Sequence, residues 1–469
     1  MTSLKNKSGF YIGVTCPGCG NRLEMESDFF VLTCDSCGSV LRIRMPEIPP
    51  AYLIECAKSR REARSFADRY LKKASLPLTE SGVEIRMIYQ PYWKVDAVLL
   101  KVRNRVEERH VYYMQESGAE QDVTYEQKLT DINLSAYSMT HSAGAEDDEI
   151  PHSIGLRASY MRMEPYSQDN IPDDFECRPV VRPWKDVIRN VEQGTARLNE
   201  INPAAFGRNK TRLFHPVASI VYFPYYIIES ESTQGLRRLT VDGVSGAVAG
   251  YVDDCQPLDE KSGEYSIQME FGRLDVEFHR CPNCGFDLPG KQSYAYICDN
   301  CHQLVMLETH SLLSEGINAV VGSGFQNDRL FPFWSMKLPD NDIGVVKKMF
   351  GGIYDSDRLV LPAFRAANFE AIFKLSKRMS SAAPKMDYTP VDGFDSRFEP
   401  VTMSLSEALV MTEVIIYRAK VGKTGGESTE PEKLSPVEIS LIYAPFHPES
   451  YFYVDSVLGA VTFEKNLVG

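Results

Sequence analysis

Eight of the eleven cysteines fall into four Cys-x-x-Cys pairs: Cys16/Cys19, Cys34/Cys37, Cys281/Cys284 and Cys298/Cys301. Two residues between cysteines let one tight turn present both sulfurs to one ion. Fourteen residues separate the first two pairs and thirteen the last two, enough for a short hairpin. Thiolates suit Zn²⁺, which takes four ligands in a tetrahedron. A glycine follows three of the four pairs and permits the left-handed backbone that aims amides at the sulfurs. The pattern therefore predicts two closed Zn²⁺ sites with a structural role, because a catalytic zinc keeps one position open. Iron is the alternative metal. Redox chemistry through the pairs fits less well, since nothing nearby has a thioredoxin βαβ context.

The runs Cys16-Pro-Gly-Cys19-Gly and Cys281-Pro-Asn-Cys284-Gly resemble zinc ribbons of the rubredoxin-like type. The resemblance covers only the two ribbons and implies β-hairpins clamping each ion. Val31-Leu32-Thr33 and Tyr294-Ala295-Tyr296-Ile297 then read as the strands entering the second knuckles. His279 and His302 lie beside the second site as candidate partners of its ligands, against the plainer reading of ordinary surface or turn histidines. Cys56, Cys177 and Cys255 read as small buried apolar residues. An odd cysteine total, with no secretory signal in residues 1–15, argues for a reducing, cytoplasmic setting over a disulfide framework.

Other constellations are weaker. A helix expected over residues 52–73 carries Tyr52, Cys56, Ala63, Phe66, Ala67 and Tyr70 on one face. Lys58, Arg60, Arg61, Arg64, Arg69, Lys72 and Lys73 lie on the other. That basic face is a candidate anion site for nucleic acid or a membrane surface, against the plainer reading of a solvated helix. Val421-Gly422-Lys423-Thr424 ends like a phosphate loop, but Tyr417 stands where the first glycine is needed. It sits in a Gly/Lys/Glu-rich stretch, 420–433, expected to be a mobile loop. Ser245 lacks the second glycine of a nucleophile elbow, no His-Glu-x-x-His run exists, and the histidines do not cluster.

The elements that position the cysteines recur in one order. Each ribbon precedes a Pro-aromatic-Trp strand, Pro91-Tyr92-Trp93 and then Pro332-Phe333-Trp334. Pro216–Tyr225 matches Pro436–Phe446 with one gap. Val241-Asp242-Gly243-Val244-Ser245-Gly246-Ala247-Val248 matches Val454–Val461 at six of eight positions. This predicts a tandem duplication. Each half would be a four-cysteine ribbon plus an α+β unit with a mainly antiparallel sheet and few helices. The expected boundaries are ribbon 1 at 1–45, unit 1 at 46–255, ribbon 2 at 275–310 and unit 2 at 311–469. Copy one is longer, with 226 positions from Cys16 to Asp242 against 174 from Cys281 to Asp455. An acidic insertion near 111–180, read as a solvated loop, accounts for part of the excess. Prolines in the matched strands mark an edge or bend. Helices are expected over 184–199 and 364–379.

Composition bounds the rest. A chain of 469 residues, 43% apolar and 25% charged, is ordinary for a globular protein and excludes coiled-coil, collagen-like and disordered classes. No apolar run reaches membrane-spanning length. Net charge is −13, which disfavours general polyanion binding, although residues 1–110 carry +5 and residues 111–180 carry −10. The expected function is a non-catalytic zinc-binding adaptor or assembly protein that docks partner proteins through its ribbons and the groove between copies. The alternatives are nucleic-acid binding through ribbon 1 and the basic helix, peripheral membrane contact, and an enzyme with a site between the repeats.

Overall fold

The computed structural model describes residues 10–26, 30–74, 83–114, 120–144, 150–155, 161–167, 171–199, 210–232, 235–255, 270–308, 313–322, 324–350, 356–366, 369–382, 386–424, 434–457, 459 and 462–465. The chain is mixed α/β and mostly sheet, 47% strand against 17% helix. It runs β1 (Phe10–Thr15), β2 (Arg22–Glu26), β3 (Val31–Thr33), β4 (Val40–Arg44), β5 (Ala51–Ile54), α1 (Arg60–Lys73), β6 (Glu84–Met114), β7 (Glu120–Ser142), β8 (Met161–Pro165), β9 (Phe175–Cys177), α2 (Trp184–Asn199), β10 (Lys210–Ser232), β11 (Gly235–Asp242) and β12 (Val248–Cys255). It continues with β13 (Asp275–Phe278), β14 (Ala295–Ile297), β15 (Leu304–Met306), β16 (Leu313–Ala319), β17 (Arg329–Lys337), α3 (Asp340–Phe350), β18 (Arg358–Pro362), α4 (Phe369–Ala382), β19 (Thr389–Val391), α5 (Leu405–Thr424), β20 (Glu438–Pro448), β21 (Phe452–Asp455) and β22 (Thr462–Glu464).

Two sheets dominate. In the first, β10 lies antiparallel to β6 and β11 and parallel to β5. In the second, β20 lies antiparallel to β17 and β21 and parallel to β16. The registers correspond residue for residue. Pro91 faces Tyr222 and Trp93 faces Ile220, while Pro332 faces Tyr443 and Trp334 faces Leu441. Tyr225 faces Asp242 as Phe446 faces Asp455. Trp93 and Trp334 are both fully buried. Their indole N–H groups donate to the Arg182 and Met403 carbonyls at 2.7 and 3.1 Å. Those donations satisfy the polar edge of each buried ring.

The prolines correct the expectation of an edge or bend. Pro91, Pro224, Pro332 and Pro445 all lie inside interior strands. On one side of β6, the neighbour changes from β9, which ends opposite Tyr89, to β7, which begins opposite Tyr92. Pro91 occupies that gap, and its carbonyl accepts from Ala143 N at 3.0 Å. Pro224 sits where β10 passes from β5 to β11, and accepts from Gly243 N at 3.0 Å. Pro332 and Pro445 repeat the arrangement, accepting from Ala363 N at 2.9 Å and Ser456 N at 3.1 Å. A residue without an N–H is tolerated where the ladder on that side needs no donor.

Other local expectations change as well. Residues 51–54 form β5, buried on both faces, so the helix begins only at Arg60. Tyr52 and Cys56 therefore are not helical, and Lys58 precedes the cap. Ser59 caps α1 in a reciprocal capping box with Glu62. The buried face of α1 is Ala63, Ala67 and Leu71, packed with Leu239, Val241 and Ile228, while Tyr70 is exposed. The helix expected over 184–199 is α2, and that expected from Phe364 starts at Phe369. Most of the acidic stretch 111–144 belongs to the β6–β7 hairpin, not a loop, while residues 145–149 lie outside the described residues. Residues 421–424 form the last turn of α5, not a loop, and residues 425–433 lie outside the described residues.

Candidate metal centres

The structure brings each set of four cysteines together. Within each group all sulfurs lie within 4.8 Å of one another, and none is in a disulfide. The Cys16–Cys37 and Cys19–Cys34 sulfurs are 3.7 Å apart. The Cys281–Cys301 and Cys284–Cys298 sulfurs are 3.6 and 3.5 Å apart. Four sulfurs about 2.3 Å from a tetrahedral ion would stand about 3.8 Å from one another. The clusters thus have the spacing of a tetrahedral metal site and could each hold one ion.

The knuckles explain how the sequence achieves this. The amides of Gly20, Gly38, Gly285 and His302 each donate to the carbonyl of the first cysteine of their pair, at 2.8–2.9 Å. Gly20, Gly38 and Gly285 take φ values of 73°, 74° and 72°, and His302 takes 54° at the fourth equivalent place. A histidine in this left-handed region carries strain that glycine avoids. One cysteine of each site is turned inward at each knuckle: Cys16, Cys34, Cys281 and Cys298 are all buried. Cys16 and Cys34 join the core formed by Ile12, Leu41 and Tyr92.

The surroundings of the sulfurs differ between the sites. The Ser39 hydroxyl and then the Ser39 backbone amide hold the Cys37 thiol down, to about 6. At the second site the Asn300 side chain, then the Phe286 amide, holds Cys284 at about 6. The Asn283 side chain, then the Gln303 amide, lowers Cys301. Each asparagine thus reaches from its own knuckle to a sulfur of the other. Gly18 and Ser36 occupy the corresponding places at the first site. Donors of this kind favour the thiolate that a metal requires.

The two sites are joined. Strand β13, which leads into Cys281, adds to the edge of β4 through four pairs, Asp275↔Arg44 to Phe278↔Leu41. Arg42 and Arg44 both pair with Glu277, Arg44 at 2.9 Å. The Gln292 carbonyl oxygen accepts from Phe30 N and Val31 N, each at 3.2 Å, and its amide donates to the Val31 carbonyl. Phe30 stacks on Tyr294 with centroids 4.4 Å apart. His279 lies in this seam, fully buried against Tyr296. Its ring nitrogens have no partner among the described residues. Burial, then the Arg42 charge, pushes its imidazole down to about 4, so it is neutral. This corrects the reading of a surface or turn histidine; His302 is exposed.

The candidate anion residues are gathered on α1 and its entry. Arg60 pairs with Asp174 at 3.6 Å and Lys72 with Asp68 at 2.6 Å. Arg69 lies over the Phe66 ring. Arg61, Arg64 and Lys73 are exposed and make no ion pair among the described residues, and Lys58 is half-buried. Cys56, Cys177 and Cys255 are half-buried; burial raises the Cys56 thiol and pushes Cys177 to about 11. Among the described residues, no helix is long and apolar enough to cross a membrane.

No family model, curated protein or solved structure significantly matches this chain.

Sequence reasoning missed Asn283, Asn300 and Gln292 as partners of the sites. The first two were visible as the residues before Cys284 and Cys301, where an amide can reach across a two-knuckle site. Gln292 had no local signal, because its partners lie more than 260 positions away.

Proposed function

We propose that this chain is a non-catalytic adaptor or assembly protein whose two four-cysteine clusters hold Zn²⁺ in structural sites. The observation that carries the reading is donor closure: both clusters offer four sulfurs at tetrahedral spacing, leaving no position for water or substrate. A reducing compartment suits these free thiols. The matched registers around Pro91/Trp93 and Pro332/Trp334 support duplication of a ribbon-plus-sheet unit.

The ribbon faces that meet at β4–β13 and Phe30–Tyr294 cover each other. A protein partner would therefore use the outer knuckle loops, where Phe286 is 49% exposed. Metal analysis of the native chain tests the first half of this reading. Two zinc ions per chain are expected, and a metal-free or iron-loaded chain would refute the zinc assignment. Capture of one defined partner by the loaded chain, lost in Phe286→Asp, tests the second half. Robust turnover of a substrate by the pure protein would overturn the non-catalytic reading.

A second reading, nucleic-acid binding through α1, draws support from the exposed Arg61, Arg64 and Lys73. It requires salt-sensitive binding that disappears in Arg61→Glu/Arg64→Glu. Salt-insensitive or absent binding removes it.

A further inference from the structure

We propose that the two four-cysteine sites load metal as one coupled unit, with Gln292 and Glu277 as the positioning residues that connect them. This inference rests on the reading of both clusters as metal sites.

The second knuckle of site 1 is held on both sides by elements of site 2. The second knuckle, Cys34–Cys37, lies between β3 and β4. Gln292, placed between the two knuckles of site 2, grips the start of β3 by three hydrogen bonds. Strand β13 completes the edge of β4 and runs on into Cys281. His279 N donates to the Val40 carbonyl at 2.8 Å, so the two strands stay paired to within three residues of Cys37 and two of Cys281. The first knuckle of site 1 also touches this seam. A Cβ added at Gly18 would stand 3.3 Å from the Phe278 ring. Close packing recurs at Gly290, where an added Cβ would meet the Thr33 hydroxyl at 2.8 Å. Thr33 immediately precedes Cys34.

Small four-cysteine modules gain their order from the metal, because the site does not pre-exist in the open chain. Here the strands ordered by one ion include those that present sulfurs to the other. Binding at either site therefore orders part of its neighbour, which then loses less conformational freedom when its own ion arrives. Such coupling is reciprocal: each metal must raise the affinity for the other by the same factor. Glu277 adds a charge link, since its carboxylate draws Arg42 and Arg44 of β4 toward β13.

The experiment begins with metal content of the full chain, which separates failure of the metal reading from failure of the coupling. With two ions per chain established, Co²⁺ titrations against a competing chelator follow. They use the intact chain, Cys19→Ala/Cys37→Ala and Cys284→Ala/Cys301→Ala. The surviving site in each double variant is expected to bind about tenfold or more weakly than in the intact chain, by a similar factor in both, within the usual range of such couplings. Gln292→Ala and Glu277→Ala retain all eight ligands. They are expected to bind two ions with tetrathiolate Co²⁺ spectra but with reduced cooperativity, and Glu277→Asp should restore part of it. Wild-type affinity at both surviving sites would overturn the proposal. If a cysteine variant unfolds, Gln292→Ala decides. Loss of cooperativity supports the coupling, and a titration identical to that of the intact chain refutes it.

Discussion

The turn after β11 and its counterpart after β21 offer a controlled perturbation of the fold. Gly246 and Gly459 occupy the same place in the two turns, at φ values of 76° and 63°. Their amides donate to the Asp242 and Asp455 carbonyls at 2.8 and 2.9 Å. Alanine at either position enters the left-handed region, at a cost of about 1–2 kcal/mol. Reduced freedom of the unfolded chain offsets about 0.4–1 kcal/mol of that. The surroundings then separate the two sites. A Cβ at Gly459 meets nothing within 4 Å, whereas a Cβ at Gly246 would stand 2.3, 2.6 and 2.7 Å from three carbons of the Phe66 ring. Phe66 belongs to α1 and packs on the core around Ala63, Leu71 and Leu239. Moving it is an overpacking insult of about 1–3 kcal/mol. Gly459→Ala should therefore cost about 1 kcal/mol and Gly246→Ala about 2–4 kcal/mol. Urea midpoints and amide exchange in α1 would measure both. In the Phe66→Ala background, Gly246→Ala should fall to the cost of Gly459→Ala, because contacting residues couple. Equal costs in the two turns, or no relief from Phe66→Ala, would refute the argument.

Three further outcomes follow from the same geometry. Stripping the native chain with a strong chelator should lower its melting temperature and expose β3, β4 and β13 together to amide exchange; unchanged protection in those strands would show that no metal orders them. Asn283→Gly/Asn300→Ser gives site 2 the residues found at site 1. The lowered thiols of Cys284 and Cys301 keep these ligands anionic to lower pH. Their pKa values should rise in the variant, so metal leaves site 2 at higher pH on acid titration; an unshifted half-release pH would contradict this. Trp93→Phe and Trp334→Phe each remove the indole donor to a carbonyl, of Arg182 or Met403, and shrink a fully buried ring. Each should cost about 1–3 kcal/mol in urea unfolding, and neutrality in both would show the hydrogen bonds to be dispensable.

Legibility in the sequence followed the range of the interactions. The knuckles are local, so Cys16/Cys19 and its counterparts could be read directly. The strands around Trp93 and Trp334 were visible from composition. By contrast, the apolar run at 51–54 matched helical spacing only because β5 is buried on both faces and therefore shows no alternation. Ser59-Arg60-Arg61-Glu62 was the signal that placed the helix start eight residues later. The acidic stretch near 111–180 suggested a loop, yet its residues 120–142 pair with residues 92–114 in one long antiparallel hairpin. Nothing local announced that β13 would join β4, since such pairing depends on tertiary closure of distant segments.

Residues 150–155 have a physical use in the core of the first sheet. Gln90, Tyr92 and Tyr225 hold the register positions that Phe331, Phe333 and Phe446 hold in the second sheet. Phe333 stacks on Phe446, while Phe364 packs edge-on to Phe333 and Phe463 packs edge-on to Phe331 and Phe446, and none needs a polar partner. Polar groups at the same depth need partners, because an unpaired buried hydroxyl or amide is destabilising by about 1–3 kcal/mol. Residues 150–155 supply one for Tyr92 and tie down the neighbouring strand β7, while the Gln90 amide donates to the Ser142 hydroxyl at 3.5 Å and its carbonyl oxygen has no partner among the described residues. Tyr92 donates to the Pro151 carbonyl at 2.8 Å and lies 3.2 Å from the Tyr225 hydroxyl. Ser142 N donates to the His152 carbonyl at 2.7 Å, and Thr140 accepts from Ile154 N at 3.0 Å. Ile150 and Ile154 add apolar cover to the same core. The second sheet, with phenylalanine in these positions, turns from β18 directly into Ala363 and Phe364 and, among the described residues, lacks the corresponding hydroxyl partners. Matching registers in the two sheets thus carry two core chemistries, and the polar one lies under its own covering segment.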